Sequence, residues 1–219
     1  MIGIIPAAGK GSRLGMGSKP LVNYKGKYLI EYSLLAMLDL GIKKAIIIQN
    51  EKDIENVLGE DYHRIQLIYV TQKEKKGIAH AISLTEDIAN NEDLCIILGD
   101  VYFEGSLRLM KEFFEKNDYD CLIPVKKIND VNKLKNFAYG ITNDGKFIEK
   151  PLEVENLKLL QGLALYMMKP VIFDIIRILP KSERFGELEI TDSLNYFKKP
   201  GIFILEGEYR NINTKEDLL

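Results

Sequence analysis

Short apolar runs without internal alternation recur through the first half of this chain and constrain its fold more than any other feature. They occupy Ile2–Pro6, Ala45–Gln49, Ile65–Val70 and Leu94–Leu98 and are rich in Ile, Leu and Val. A strand that is covered on both faces is apolar at every position, whereas a half-exposed strand alternates. The runs therefore predict strands buried between two layers of helices.

Longer amphipathic segments separate these runs. One has its apolar residues on a single helical face between Ile30 and Leu38, and Gly41 is suited to end that helix. Helical spacing also covers Ile78–Ile88 and Leu107–Phe114. Because strands that alternate with helices need right-handed crossovers, we predict an α/β fold with a Rossmann-like, mainly parallel mixed sheet and helices on both faces.

The second half has shorter runs and clearer turn signals. Strands are predicted over Tyr119–Val125, Ala138–Thr142, Phe147–Glu149, Leu159–Met168 and Ile202–Glu206. The Asn143-Asp144-Gly145 turn is expected to join the second and third of these strands as a hairpin. Helices are expected near Val171–Leu179, Glu189–Lys198 and Lys215–Leu219. No repeat or flexible linker interrupts the pattern, so we expect one domain over residues 1–219.

Composition excludes several classes of partner. Thirty Lys+Arg against 32 Asp+Glu give a formal net charge of -2, so neither nucleic acid nor a membrane surface is an expected partner. The N-terminal apolar run is too short for a secretory signal and is interrupted by Pro6. Cys95 and Cys121 lie in apolar runs and are expected to be buried, reduced thiols. We therefore expect a cytoplasmic protein.

The loop after the first apolar run, Pro6–Pro20, indicates a phosphate-binding site. It holds four glycines, two lysines, one arginine and two serines. Glycines let the backbone approach a phosphate closely, and the cations neutralise its charge. The P-loop pattern is not matched, and the dinucleotide pattern that begins at Gly9 and Gly11 meets Leu14 where a small residue is needed. A nicotinamide-dependent oxidoreductase is thereby disfavoured.

Polar residues also follow the third and fourth apolar runs. Ligands in such sheets bind outside the carboxyl ends of the strands, so these positions are informative. Gln72 has an amide that can pair with a pyrimidine edge, and Gly77 opens a helix whose N-terminus favours phosphate. Asp100 is a carboxylate of the kind that binds Mg²⁺ together with phosphate oxygens.

These segments resemble the signature of the sugar-1-phosphate nucleotidyltransferases, the family that includes glucose-1-phosphate thymidylyltransferase. The resemblance lies in GKGSRL at 9–14, KPL at 19–21 and the Gly99-Asp100 pair. It implies the nucleotide-diphospho-sugar transferase fold and phosphate charge stabilised by Arg13 and Lys19. It also implies nucleotide contacts from Ala8, Gly9, Gly11, Ser12, Gln72 and Gly77. The stretch between the two motifs, Gly15–Ser18, is shorter than is usual in the family.

Segments of the second half extend the resemblance. It implies a nucleotide-binding half over 1–117 and a sugar-phosphate-binding half over 118–219. The implied sugar-phosphate contacts are Gly140, Glu149, Lys150, Gly162 and Tyr166. The segment GELEITD at 186–192 is similar to a helix start in the family, although Phe185 stands where many members have an arginine and Arg184 lies one residue earlier.

The resemblance further implies a bound Mg²⁺ ion with Asp100 and Asn211 as its protein ligands. Many members have an aspartate at the position of Asn211, whereas related uridylyltransferases that act on amino sugars use asparagine. An amide oxygen can bind Mg²⁺, although a neutral ligand binds it more weakly than a carboxylate does. Asp100 is in addition expected to be catalytic, together with Arg13 and Lys19.

The predicted reaction joins a nucleoside triphosphate, with dTTP or UTP favoured, to a sugar 1-phosphate and releases pyrophosphate. It proceeds by Mg²⁺-dependent in-line attack and needs no covalent enzyme intermediate. One alternative is a cytidylyltransferase that acts on a non-sugar phosphate such as choline phosphate. Another is a catalytically inactive subunit that binds a nucleotide sugar. A homo-oligomer is left open.

Overall fold

The structure is a computed structural model that describes residues 1–9, 18–130, 139–149, 151–212 and 217. The strands of the first half are β1 (Ile2–Pro6), β2 (Asn23–Tyr24), β3 (Lys27–Tyr28), β4 (Lys44–Gln49), β5 (Asp61–Tyr62), β6 (Ile65–Thr71), β7 (Leu94–Ile97) and β8 (Val101–Glu104). Its helices are α1 (Leu29–Asp39), α2 (Asp53–Leu58), α3 (Ile78–Ser83), α4 (Glu86–Ala89) and α5 (Arg108–Lys116), with a 3-10 turn over Lys19–Leu21.

The second half contributes more strand than helix. Its strands are β9 (Cys121–Lys127), β10 (Tyr139–Ile141), β11 (Phe147–Glu149), β12 (Leu160–Gly162), β13 (Leu165–Met168), β14 (Pro200–Ile204) and β15 (Glu208–Asn211). Its helices are α6 (Ile172–Ile178) and α7 (Ile190–Ser193), which is followed by a 3-10 turn over Leu194–Tyr196.

The described strands form one large mixed sheet and three small pairs. The order in the large sheet is β12-β9-β13-β7-β1-β4-β6-β5, with β14 beside β9. Parallel pairing joins β7, β1, β4 and β6 in that order. The β9–β14 pair is also parallel. Strand β13 pairs with β7 and β9 in antiparallel fashion. The pairs β2–β3, β8–β15 and β10–β11 lie outside this sheet. The predicted α/β fold with a mixed sheet is confirmed.

Two hydrophobic cores lie on opposite faces of the large sheet. Alternate residues of β1 enter different cores, with Ile4 packing on the side of α3 and α6 and Ile5 on the side of α1 and α5. Both isoleucines are fully buried. Each such side chain contributes about 1.5–3 kcal/mol on burial. The apolar runs lack alternation because both of their faces are covered.

The predicted long strand over Leu159–Met168 is wrong, because the chain forms two strands, β12 and β13, with a break at Leu163–Ala164. The backbone N–H of Ala164 donates to the hydroxyl of Tyr209 at 2.8 Å instead of to a strand neighbour. The N–H of Leu163 donates to the carbonyl of Pro124 at 3.2 Å. A side chain from a distant segment therefore interrupts the ladder, which no local pattern could indicate.

Two predicted helices are shorter than expected. The segment Ile78–Ile88 is divided into α3 and α4, because the buried Thr85 donates from its hydroxyl to the carbonyl of Ile82 at 2.7 Å and closes the first helix. The segment Glu189–Lys198 forms only α7 and a 3-10 turn, where the hydroxyl of Ser193 donates to the carbonyl of Ile190 at 2.6 Å. Hydroxyl side chains compete with helical hydrogen bonds in this way. The helix expected over Lys215–Leu219 lies outside the described residues, apart from position 217.

Candidate active site

A cavity of about 380 Å³ lies at the carboxyl ends of β1, β6 and β7. These are neighbouring or near-neighbouring parallel strands, so the residues that follow them meet at one edge of the sheet. Seven residues predicted from the sequence line this cavity: Ala8, Gly9, Lys19, Gln72, Gly77, Asp100 and Glu149. The two halves of the chain therefore share one cavity, since Glu149 comes from the second half.

Asp100 and Lys19 form a close ion pair in this cavity. The Nζ atom of Lys19 lies 2.5 Å from Oδ2 of Asp100, and the lysine side chain is only 11% exposed. Lys19 begins the 3-10 turn that follows the glycine-rich loop, whereas Asp100 follows the buried strand β7. The pair places a cation and a carboxylate beside the backbone of Ala8 and Gly9, where the phosphates of a nucleotide were expected.

Asn211 lies next to Asp100 through the β8–β15 pair. Asn211 is opposite Val101 in this pair, and the N–H of Ile212 donates to the carbonyl of Asp100 at 3.2 Å. Within the described residues, Oδ1 of Asp100 and Oδ1 of Asn211 are the buried side-chain oxygens that lack a hydrogen-bond partner. Such an atom costs roughly 1–3 kcal/mol when it remains unsatisfied. Two adjacent segments thus each contribute an oxygen of the kind that a hard cation binds.

These oxygens fit a divalent metal whose remaining ligands come from outside the protein. No group of three or more His, Cys, Asp or Glu side chains that could hold a metal occurs in the part of the chain that the structure describes. Mg²⁺ commonly binds through one or two protein oxygens together with waters and substrate phosphates. The Asp100 and Asn211 oxygens are therefore suited to Mg²⁺ bound together with a phosphate-bearing substrate.

Gln72 is almost fully buried at the cavity wall, with 7% of its surface exposed. Its Nε2 atom donates to the carbonyl of Gly77 at 3.2 Å and lies 3.1 Å from Nδ1 of His80. Sequence reasoning gave His80 no chemical role, although the chain reversal at Gly77 brings its ring against Gln72. Burial lowers the pKa of His80, and the positive charge of Lys76 lowers it further.

Gly77 lies at one of the contacts between the two halves of the chain. The N–H of Leu188 donates to the carbonyl of Lys76 at 2.8 Å, and the N–H of Ala79 donates to the carbonyl of Leu188 at 3.0 Å. A Cβ atom on Gly77 would lie 2.3 Å from the oxygen of Leu188, and the φ of Gly77 is +96°. Only glycine fits both restrictions. The segment around Gly77 and the GELEITD segment are therefore joined by backbone hydrogen bonds.

Glu149 enters the cavity from the end of β11 and is held by a buried threonine. The hydroxyl of Thr191 donates to Oε2 of Glu149 at 2.5 Å. The side-chain amide of Asn195 binds both backbone groups of Phe147, at 2.9 and 3.0 Å, and so fixes the same strand to the segment after α7. Thr191 and Asn195 were not singled out from the sequence as supports of Glu149.

Gly140, Gly162 and Tyr166 are not among the residues that line the cavity, and their contact with a sugar phosphate stays a prediction. The structure gives each of them a packing role. A Cβ atom on Gly162 would lie 2.0 Å from the ring of Tyr139, and one on Gly140 would lie 2.9 Å from Leu157. The ring of Tyr166 is 2% exposed and stacks on Tyr139.

Four further predicted site residues lie outside the described residues. These are Gly11, Ser12, Arg13 and Lys150. Their roles remain predictions from the resemblance.

Comparison with known proteins agrees with this geometry. The family model described as nucleotidyl transferase matches residues 2–203. The chain belongs to this family. It is 30% identical to the low-salt glycan biosynthesis nucleotidyltransferase Agl11 of Haloferax volcanii, covering 100% of this chain and 64% of that protein. It is 28% identical to the UTP–glucose-1-phosphate uridylyltransferase AglF of the same organism, covering 99% of this chain and 93% of the relative.

A solved structure supports the same fold. The chain is similar to a Bacillus anthracis protein assigned as a glucose-1-phosphate thymidylyltransferase and crystallised with sucrose, with a TM-score of 0.87 and 26% identity. The match covers 100% of this chain and 92% of that one. Family and fold thus identify the chain as a member of the sugar-1-phosphate nucleotidyltransferases, as its motifs predicted. Among the described helices, none has the length and apolarity that crossing a membrane would require.

Proposed function

We propose that this chain transfers a nucleotidyl group from a nucleoside triphosphate to a sugar 1-phosphate and releases pyrophosphate. The observation that carries the proposal is the cavity at the carboxyl ends of the parallel strands. It brings the Lys19–Asp100 ion pair together with Gln72 and Gly77 from one half and Glu149 from the other. Relatives with uridylyl- and thymidylyltransferase names favour UTP or dTTP as the donor.

In the proposed reaction a phosphate oxygen of the acceptor attacks the α-phosphorus. A new P–O bond forms, the bond to the oxygen that bridges the α- and β-phosphates breaks, and pyrophosphate leaves with the electron pair. The acceptor phosphate is already ionised near neutral pH, so no general base is needed. Catalysis then consists of positioning the reactants and stabilising charge.

Each residue has a distinct proposed task. Lys19, with Arg13 as predicted from the resemblance, neutralises the charge that grows on the leaving pyrophosphate. The backbone of Ala8 and Gly9 contacts the nucleotide phosphates. Glu149 accepts hydrogen bonds from sugar hydroxyls, and Lys150 is proposed to anchor the acceptor phosphate.

Asp100 and Asn211 would hold Mg²⁺ through their two Oδ1 atoms, which have no hydrogen-bond partner among the described residues. When bound there, the metal would neutralise negative charge on the reacting phosphates. Because Asn211 is neutral, the site carries one negative charge fewer than a pair of aspartates would. We therefore expect weaker metal affinity and a higher Mg²⁺ requirement than in an Asn211→Asp variant.

The test is pyrophosphate release from a substrate panel. UTP, dTTP, CTP and GTP are each combined with glucose 1-phosphate, N-acetylglucosamine 1-phosphate or choline phosphate, with and without Mg²⁺. Metal-dependent release with UTP or dTTP and one sugar phosphate, lost in Asp100→Ala but kept in Asp118→Ala, supports the proposal. Asp118 is a suitable control because its carboxylate pairs with Lys199 on the surface.

Release only with CTP and choline phosphate favours the cytidylyltransferase alternative. Tight nucleotide binding without release from any pair favours an inactive binding subunit.

A further inference from the structure

The amide of Gln72 makes two contacts through one atom. Nε2 lies 3.2 Å from the carbonyl oxygen of Gly77 and 3.1 Å from Nδ1 of His80. The oxygen and NH₂ ends of an amide are nearly equal in size, so the hydrogen-bond network must assign them. A backbone carbonyl oxygen can only accept, and the group that faces Gly77 must therefore be the NH₂ end of the amide.

This assignment determines the state of His80. One hydrogen of the Gln72 amide is used by Gly77, and the other points to Nδ1 of the imidazole. Nδ1 must then accept, so the ring is neutral and carries its proton on Nε2. The lowered pKa of His80, which burial causes in the first place, is consistent with a neutral ring.

The oxygen end of the amide is left for the cavity. Gln72 lines the cavity, and its Oε1 forms no hydrogen bond with another described residue. This oxygen is also not one of the buried atoms that lack a partner. A free glutamine amide can offer a base both a donor and an acceptor. In the structure both hydrogens of the amide are already engaged, so only the acceptor remains available.

We infer that His80 is a positioning residue that locks the Gln72 amide with its carbonyl oxygen toward the nucleotide base. This inference rests on the proposed function and deepens it. A fixed acceptor that faces ring position 3 favours uracil or thymine, whose N3–H donates, over cytosine, whose N3 is itself an acceptor. Without an acceptor at position 80, only the hydrogen bond to the Gly77 carbonyl holds the NH₂ end, so the amide is fixed less firmly.

The test compares His80→Leu with His80→Asn. Leucine removes the acceptor, whereas the Oδ1 atom of asparagine can accept a hydrogen bond near the position of Nδ1. Binding of UTP and of CTP is measured by calorimetry, and kcat/KM is measured with the sugar phosphate accepted by the wild type. We expect the UTP-over-CTP preference to fall about tenfold in His80→Leu, the effect of roughly one hydrogen bond, and to return in His80→Asn. The KM for the sugar phosphate should stay unchanged.

A second measurement uses pH. The only other histidine in the chain is His63, so His63→Asn leaves His80 as the sole imidazole. In that background UTP affinity should weaken as pH falls through the pKa of His80, because a protonated Nδ1 cannot accept. Lys76 opposes this protonation and Glu74 favours it. The His63→Asn/His80→Asn double variant should lose this part of the pH dependence. Any pH dependence that remains in it then comes from titration of the nucleotide phosphates.

The outcomes separate this inference from the proposed function. If the wild type and His80→Leu show the same UTP-over-CTP preference, the inference is overturned, even if pyrophosphate release is normal. A wild type that prefers CTP, or that binds neither nucleotide, also overturns it. The binding assay needs no turnover, so an absence of pyrophosphate release would count against the proposed function alone. If His80→Leu does not fold, His80→Phe keeps a flat ring without the acceptor and replaces it.

Discussion

The two halves of the molecule place chemical groups in one cavity by different means. In the first half, Gln72 and Asp100 follow parallel strands whose ladder lies between two hydrophobic cores. In the second half, Glu149 ends a strand of the small β10–β11 pair outside the large sheet and is held by the hydroxyl of Thr191. Buried backbone ladders fix the first set, and individual side-chain hydrogen bonds fix the second.

This difference suggests how each half responds to mutation. A strand end inside a two-sided core moves only if the core rearranges, because protein interiors are close-packed. A carboxylate that side-chain hydrogen bonds orient, as the Thr191 hydroxyl does for Glu149, is less well oriented when that hydroxyl is removed. Changes in the first half should therefore act through the chemistry of the altered group itself. Changes in the second half should include supporting residues that never touch a substrate.

The largest effect is expected at Asp100. Asp100→Asn removes the charge that faces Lys19 and the proposed metal, and we expect kcat to fall about 10²–10³-fold, as for the loss of one stabilising group in a transition state. Asp93→Asn is the matched control, because Asp93 forms a similar pair with Lys169 at 2.7 Å and does not line the cavity. Pyrophosphate release at saturating substrate measures both. Equal losses in the two variants would show that an ion pair supports the fold and that Asp100 has no special chemical role.

The junction between the halves is tested by Gly77→Ala. The added Cβ would meet the Leu188 backbone, so we expect about 3 kcal/mol of destabilisation and a raised KM for both substrates. Gly41→Ala is the control, because Gly41 has φ of +73° but no atom within 4 Å of an added Cβ. It should cost about 1 kcal/mol and leave KM unchanged. Urea unfolding and steady-state kinetics measure the pair, and similar stability losses would contradict a tight contact at Gly77.

A selective effect on the acceptor side is expected from Thr191→Val. Glu149 would lose its hydroxyl donor, so the KM for the sugar phosphate should rise about tenfold while nucleotide affinity stays constant. Thr142→Val is matched in chemistry, since the hydroxyl of Thr142 donates to Asp144 at 2.5 Å on the surface. It should leave both constants unchanged. A Thr191→Val variant that weakens nucleotide binding equally would mean that the two halves do not position their groups independently.

The smallest effect is expected at the tip of the β10–β11 hairpin. Gly145 has φ of +91° with open space around an added Cβ. Gly145→Ala should therefore cost about 1 kcal/mol of stability from backbone strain alone. Thermal unfolding and kinetics measure it, and kinetic constants should not move. A changed KM for the sugar phosphate would show that the turn itself adjusts Glu149.

The sequence by itself determined the buried parallel strands and the positions where they end. Four unbroken apolar runs were enough, because burial on both faces leaves a local signature along the chain. The residues after those runs, Lys19, Gln72 and Asp100 among them, could be proposed for one site because parallel strands share a carboxyl edge. The Asn-Asp-Gly hairpin was equally predictable, since the preference of these residues for a tight turn is local.

Only the tertiary structure decided the features that depend on distant partners. Tyr209 divides the strand expected over Leu159–Met168, Thr191 holds Glu149, and His80 engages the amide of Gln72. Except for the contact with His80, these pairs join segments more than 40 residues apart. Periodicity and local propensity report which residues are buried, but a hydrogen bond between side chains depends on where two elements pack and how each side chain is oriented. The sequence thus indicated residues that line one cavity, and the packing of the two halves set the direction of their side chains.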